Sequence, residues 1–366
     1  MKTLLVIAII SLHLLSPFLW GQQAPSPDDY MMLATFYELK EYRTFQVSNQ
    51  GEITYNSKQQ LPLEPFRITI APNGKWGLIG CRTTPDPAMQ YSVLLKIDDK
   101  SNISIWEYLY NMYQIGKPYL VAISSDSKIG AYGIRMNTVK IINNDIYSIQ
   151  YNNNPVDRYG FLSSEKMIAQ TDWHIFSEFT VSTDGVTTPT GITIDISPSA
   201  GNTGMRVSPD GSTVIVISGV GADVTVIRVN GDGDYSVVQQ FGRYDQPSAV
   251  HFSQNSSLVA IRYEYYISIY SVSYDSRLTE ISRAYIPWGI PTGRMAVSHD
   301  FKLAVAGYRV LEGSVYKSYF YVFRIHENGM IEYLPDKDYV CLGLYGDIAF
   351  IPPQVTDAEP AWNSYE

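Results

Sequence analysis

Seven arginines carry the first chemical signal in this sequence. Arg67, Arg82, Arg135, Arg158, Arg206, Arg294 and Arg309 recur at matching places along the chain, out of fourteen arginines in all. A guanidinium stays charged at physiological pH and offers five N–H donors in a planar fork, so several together suit a carboxylate or a phosphate. Three other side chains fall in the same columns and could move protons: His251, Asp347 and Glu264. Beside a guanidinium that polarises a carbonyl, any of the three could activate water. Two guanidiniums ~8 Å apart at an effective dielectric of ~20 repel by roughly 2 kcal/mol, so such a cluster needs acidic neighbours or a bound anion. The bland alternative is that each arginine pairs with a carbonyl or carboxylate of a neighbouring element, because charge clusters also occur in purely structural networks.

These residues fall into register because the chain is a repeat. A short unit recurs: an apolar alternating strand, a tight polar turn, a second strand, then two more. Its clearest copy starts at Met205 and runs through Ser208-Pro209-Asp210-Gly211 into a second strand over 212–218. Residues 224–229 make a third strand, Asn230-Gly231-Asp232-Gly233 a hairpin turn and 235–241 the fourth. Pro-Asp-Gly and Asn-Gly are turn chemistry, flanked here by β-branched and aromatic residues. The last apolar residue before each polar turn serves as an anchor: Ile70, Ile123, Phe161, Val207, Phe252, Val297 and Phe350, at steps of 53, 38, 46, 45, 45 and 53 residues. Four strands fit in ~45 residues at ordinary strand and hairpin lengths. Helical periodicity is almost absent between the anchors.

The seventh anchor has no strands after it, because Pro352-Pro353 and an acidic tail follow. The start of the chain has the complementary surplus. Residues 31–38, 42–49 and 52–59 read as three strands with no first strand before them. Pairing the last strand with these three closes a ring and removes its open edge. The predicted fold is all-β: a seven-bladed β-propeller of four-stranded antiparallel blades over 30–353, followed by a short tail at 354–366.

The run Ser208-Pro209-Asp210-Gly211-Ser212-Thr213-Val214-Ile215-Val216, leading to Val224-Thr225-Val226-Ile227-Arg228-Val229, resembles the repeat of lactonase-like and YVTN-type seven-bladed propellers. Ala71-Pro72-Asn73-Gly74-Lys75-Trp76-Gly77-Leu78 is a second good copy. The likeness covers most of 30–353 as a repeat and is sharp in those two blades. It implies the propeller fold, and either sugar-lactone hydrolysis or the undefined roles of exported members. Enzymes of the group often have His-Pro-Asp/Asn-Gly at this turn. Here no turn begins with His-Pro, and Ser298-His299-Asp300 places its His one position late. No catalytic residue carries over by motif.

Aligned on the anchors, the first strands separate into columns. The anchor and the residue two before it are apolar in every repeat, which at period two marks a buried face. One before the anchor the column reads Thr69, Ala122, Gly160, Arg206, His251, Ala296 and Ala349. Three before it the column reads Arg67, Leu120, Arg158, Gly204, Ala249, Arg294 and Asp347. Small residues suit a crowded innermost strand. Charged ones do not, and they are expected to line the central channel near the strand starts. Second strands run back to that same mouth, and six residues after each begins stand Arg82, Arg135, Trp173, Glu264 and Arg309, with His174 beside Trp173.

Other motifs yield to simpler explanations. Asn230-Gly231-Asp232-Gly233-Asp234 spaces its oxygens like a calcium loop but lacks the central Gly and the terminal Glu, and it sits where a hairpin must turn. Ser218-Gly219-Val220-Gly221 has no strand-to-helix unit around it and is no dinucleotide fingerprint. The histidines stand at unequal blade positions, so no metal site is expected.

Whole-chain properties bound the rest. Met1 to Trp20 follow the basic, apolar and breaker order of a secretory signal peptide, with cleavage expected before Gln22, so 1–21 reads as a leader. Its apolar run is short for a membrane span, and no later segment is long enough to cross a bilayer. The protein is therefore expected to be secreted or periplasmic. A net charge of −9 argues against general nucleic-acid binding. The only two cysteines, Cys81 and Cys341, read as separate buried thiols. The expectation is a monomeric exported propeller binding an anionic small molecule, or an acidic segment of a protein partner, in its Arg-lined mouth, with no cofactor. Lactone hydrolysis is the alternative, with His251, Asp347 and Glu264 as catalytic candidates. A third possibility is a scaffold using its loop faces, the longest being 83–90 and 311–318.

Overall fold

The computed structural model describes residues 29–354 apart from 83–89, 112–119, 134, 153, 198–199, 221–222, 232, 243–244 and 288–289. The expected leader, most of the acidic tail, most of the 83–90 loop and Asp232 lie outside the described residues.

The strands form seven antiparallel sheets, each ordered outward from an innermost strand. The innermost strands are Glu64–Ile70, Val121–Ile123, Arg158–Phe161, Ala200–Val207, Ala249–Phe252, Ile290–Val297 and Tyr345–Ile351. Each touches the next, and the last touches the first, so they close a ring whose blades are numbered one to seven in that order. Blade seven joins the two ends of the described chain. Its inner strand Tyr345–Ile351 pairs with Tyr30–Phe36, followed outward by Glu41–Val47 and Ile53–Gln60. Met31 faces Ile351, Met32 faces Phe350 and Leu33 faces Ala349. The three-plus-one closure expected from the surplus strands is the closure that forms.

Burial explains the strand types. Middle strands are covered on both faces by adjacent blades, so they read as continuous apolar runs such as Val214-Ile215-Val216-Ile217, all nearly inaccessible. Outermost strands have one wet face; Leu278–Tyr285 alternates between buried or half-buried and exposed residues.

The small column of the inner strands has a different cause from crowding at the axis. At Ala122, Gly160 and Ala296 it meets the next blade. Ala122 packs with Tyr159 and Phe161 of blade three, and Ala296 with Ile348 and Phe350 of blade seven. A Cβ on Gly160 would lie 2.9 Å from Cγ2 of Val207 in blade four.

Blade six departs from expectation. Leu303–Glu312 and Val315–Ile325 form one long hairpin in which Leu311 faces Tyr316 and Glu312 faces Val315. The stretch 311–318 is therefore mostly ladder, not loop. Tyr339–Leu342 then pairs with Lys317 to Phe320 and gives this blade a fifth strand. Cys81 is buried, Cys341 is half-buried, and both are free thiols.

One turn shows how tightly the ring is shut. Gly74 sits at φ +69°, and a Cβ there would come within 2.2 Å of the Pro352 carbonyl oxygen, where the chain leaves blade seven. Gly211 repeats the arrangement at φ +72°, with the Leu162 carbonyl oxygen 2.3 Å from a would-be Cβ. The left-handed backbone alone costs an L-residue roughly 1–2 kcal/mol, and the clash with a backbone atom adds to it. Gly74→Ala is expected to lower unfolding free energy by at least about 2 kcal/mol in equilibrium urea titration. An unchanged midpoint would show that this turn does not press on the closing strand.

Candidate functional site

All seven inner strands line one cavity of about 450 Å³. The whole column three before the anchor lines it: Arg67, Leu120, Arg158, Gly204, Ala249, Arg294 and Asp347. So do all seven anchors. Arg206 and His251, one before their anchors, join the lining between these two levels. The cavity thus gathers Arg67, Arg158, Arg206 and Arg294 with the carboxylate of Asp347 and the imidazole of His251, and His299 lines it beyond the Val297 anchor.

Asp347 ties this charge to the scaffold. Its Oδ2 accepts the Ile68 N–H of blade one at 3.2 Å, and its Oδ1 accepts the Ile348 N–H at 3.1 Å. Arg294 Nε stands 3.9 Å from Oδ1 and donates to the Gly346 carbonyl at 3.1 Å, while its guanidinium lies 5.8 Å from the centre of the Phe66 ring. Arg67 shows the consequence of confinement. Burial pushes its pKa down to about 9, Arg294 pushes the same way, and Asp347 opposes them. It is still a cation at pH 7. Arg206 is also pulled down by burial among the channel walls, against Asp347, yet its side chain reaches the channel solvent. Four positive charges thus face a single negative one in a chain whose net charge is −9.

His251 is held neutral. Its Nε2 lies 2.8 Å from the Met295 carbonyl of blade six; a carbonyl only accepts, so Nε2 carries the proton and Nδ1 the lone pair. Burial, then Arg206, drives its pKa down to about 3, against the Met295 bond. It is unprotonated at neutral pH but a feeble base.

The second-strand column does not join this cavity. Arg309 donates from Nη1 to the Tyr37 hydroxyl at 3.1 Å and lies 5.4 Å from that ring's centre. Glu264 has its carboxylate beside the Tyr265 hydroxyl, whose pKa it raises, and its main-chain carbonyl accepts the Tyr308 hydroxyl. Arg135 sits in the turn after Ile129–Tyr132, away from the lining. Arg82 ends its strand opposite Glu64; its side chain lies outside the described residues. The physical reason is strand length. The second strands of blades two and five end before the sixth position, at Tyr132 and Arg262, whereas that of blade six continues to Glu312. A count from the strand start therefore reaches different environments.

One residue of the site went unread in the sequence. Arg262 is fully buried; its Nη1 donates to the Arg294 carbonyl and its guanidinium lies 4.7 Å from the Tyr308 ring centre. Its charge also acts on the nearby Tyr345 hydroxyl, whose pKa burial pushes up to about 12 against the pull of Arg262. Arg262 holds the main chain of a channel arginine. The available signal was a charge closing the apolar run Leu258-Val259-Ala260-Ile261.

No protein-family model matches the sequence, and no curated protein matches it. Solved structures do. A Bacteroides uniformis protein provisionally named 6-phosphogluconolactonase superposes with a TM-score of 0.72 at 16% identity, covering 88% of this chain and 100% of its own. The periplasmic gluconolactonase PpgL of Pseudomonas aeruginosa gives 0.70 at 11% identity, covering 88% of this chain and 99% of its own. A functionally unknown protein of Desulfotomaculum acetoxidans gives 0.67 at 14% identity, covering 88% and 99%. Likeness at these identities is likeness of fold: this chain shares the seven-bladed propeller fold of these structures.

Neutral burial of His251 has a pH signature. In the unfolded chain it takes up a proton near its ordinary pKa of 6.5, whereas in the folded protein it does so only near 3. Between these values the unfolded state binds more protons, so stability falls as pH drops from about 6.5 toward 3. In His251→Asn this part of the loss should vanish, and melting temperatures from pH 7 to pH 4 should decline less steeply than in the parent. Equal slopes would mean that the imidazole is protonated in place.

Proposed function

We propose that this protein is an exported binding module whose channel holds an anionic small molecule. The observation that carries the reading is the charge of the cavity: four guanidiniums and one carboxylate in a chain that is acidic overall. Arg294 and Asp347 offset each other, and the remaining guanidiniums leave the channel lining positive on balance. Guanidiniums within low-dielectric walls bind oxyanions with charge-assisted hydrogen bonds. Their place inside the ring, away from the blade loops, suits a small molecule better than an acidic protein segment. The leader-like sequence of 1–21 and the periplasmic setting of PpgL support export.

Lactone hydrolysis is the second reading, favoured by the names of two structural neighbours and by guanidiniums able to polarise a carbonyl. The candidate bases weigh against it. Asp347 is committed to two backbone N–H groups and near Arg294. His251 has its proton on Met295 and little basicity left. Glu264 lies away from the cavity lining.

Phosphate, citrate and gluconate should each be tried in thermal unfolding. At least one should raise the melting temperature by roughly 4 °C at a hundredfold excess over its dissociation constant. Arg158→Ala combined with Arg206→Ala should abolish that rise. A melting point indifferent to every anion would remove the binding reading. Turnover of gluconolactone or 6-phosphogluconolactone that is lost in Arg206→Ala and in His251→Ala would put hydrolysis in its place.

A further inference from the structure

The cavity is layered, and the layers differ in chemistry. Its charged level lies three residues before the anchors, where Arg67, Arg158 and Arg294 stand with Asp347, and Arg206 follows two residues further along its strand. Its lower level is the ring of anchors: Ile70, Ile123, Phe161, Val207, Phe252, Val297 and Phe350. No anchor is polar. Five of the seven (Ile70, Ile123, Val207, Phe252 and Val297) keep part of their surface accessible, and all line the same cavity as the arginines. Packing between blades explains why this face is apolar but not why so much of it is left uncovered inside one channel. A contiguous apolar collar open to a cavity marks where an apolar group sits.

Resting on the anion reading above, we propose that the ligand is amphipathic: a carboxylate held at the arginine level, bearing an unbranched apolar chain that runs down the axis through the anchor collar. The two levels are three residues apart along extended strands, about 10 Å at ~3.3 Å per residue. A chain of medium length bridges that distance; a short polar acid fills the upper level alone. The orientation follows from the charges. The head sits toward the strand starts, among the guanidiniums, and the tail points toward the turns that carry Pro72, Pro209 and Pro352.

The test is a series of linear carboxylates from butanoate through hexanoate and octanoate to decanoate, titrated calorimetrically below their micellar concentrations. Affinity is expected to rise roughly threefold for each methylene that enters the collar, and to level off once the chain spans it. Octyltrimethylammonium, with the same tail and the opposite charge, should not bind. In the double variant Val207→Thr and Val297→Thr the side-chain shape is kept and the surface made polar; the dependence on chain length should flatten while citrate binding stays as in the parent. Arg158→Ala should weaken every member of the series by a similar factor. Citrate binding with equal affinities from butanoate to decanoate would overturn the amphipathic ligand and leave the anion site standing. Failure of citrate and of every carboxylate to bind would overturn both.

Discussion

One antiparallel pairing holds this molecule in its shape, that of Tyr30–Phe36 with Tyr345–Ile351. Without it blade seven is a lone strand at the end of the chain and blade one has no neighbour on one side. With it, seven inner strands stand around an axis, and residues at equal distances from their anchors fall on one level of one cavity. Closure and site share a residue. The Asp347 N–H donates to the buried Thr35 hydroxyl oxygen at 2.9 Å across the closing pair, and its carboxylate accepts the Ile68 N–H of blade one. The only acid lining the cavity among the described residues is thus also a stitch between the last blade and the first. The electrostatics of the channel and the integrity of the ring are one problem.

That coupling favours binding over chemistry. A general base needs a free lone pair near neutral pH and a path to its substrate. Asp347 spends its oxygens on the scaffold. His251 is desolvated and faces Arg206, so protonation is costly. The arginines are in the opposite position, since mutual repulsion and burial press on Arg67 enough to depress its pKa, and an anion relieves both. Supports such as Arg262, which grips the Arg294 carbonyl from behind, hold the cations where they would otherwise drift apart.

Much of this was legible in sequence because propeller blades repeat their register. The anchors needed only a turn signal after an apolar alternation, and from them the two columns of Arg67, Arg158, Arg206, His251, Arg294 and Asp347 followed by counting. Counting failed where register is not conserved from blade to blade. Arg82, Arg135, Glu264 and Arg309 were aligned from the starts of second strands, whose lengths run from the four residues of Ile129–Tyr132 to the ten of Leu303–Glu312. The extension of blade six was hidden for a related reason: residues 311–318 carry charges and exposed apolar groups as a loop would, although they pair with each other across the long hairpin. Arg262 was missed because its partners are a carbonyl and two tyrosines from other blades, contacts that no local pattern announces.

The inner strands also show where such a fold is free to vary. The anchor and the position two before it must fill the space between blades, and they are apolar seven times over. The position one before the anchor packs small side chains against the next blade at Ala122, Gly160 and Ala296, bonds a neighbour's carbonyl at His251 and opens to the channel at Arg206. Three before the anchor, the side chains line the channel. There the sevenfold repeat breaks: cations in blades one, three and six, an anion in blade seven, and Leu120, Gly204 and Ala249 between them. Packing asks for no such asymmetry. It gives the channel a charged level, lopsided between cations and one anion, and an apolar level beneath it.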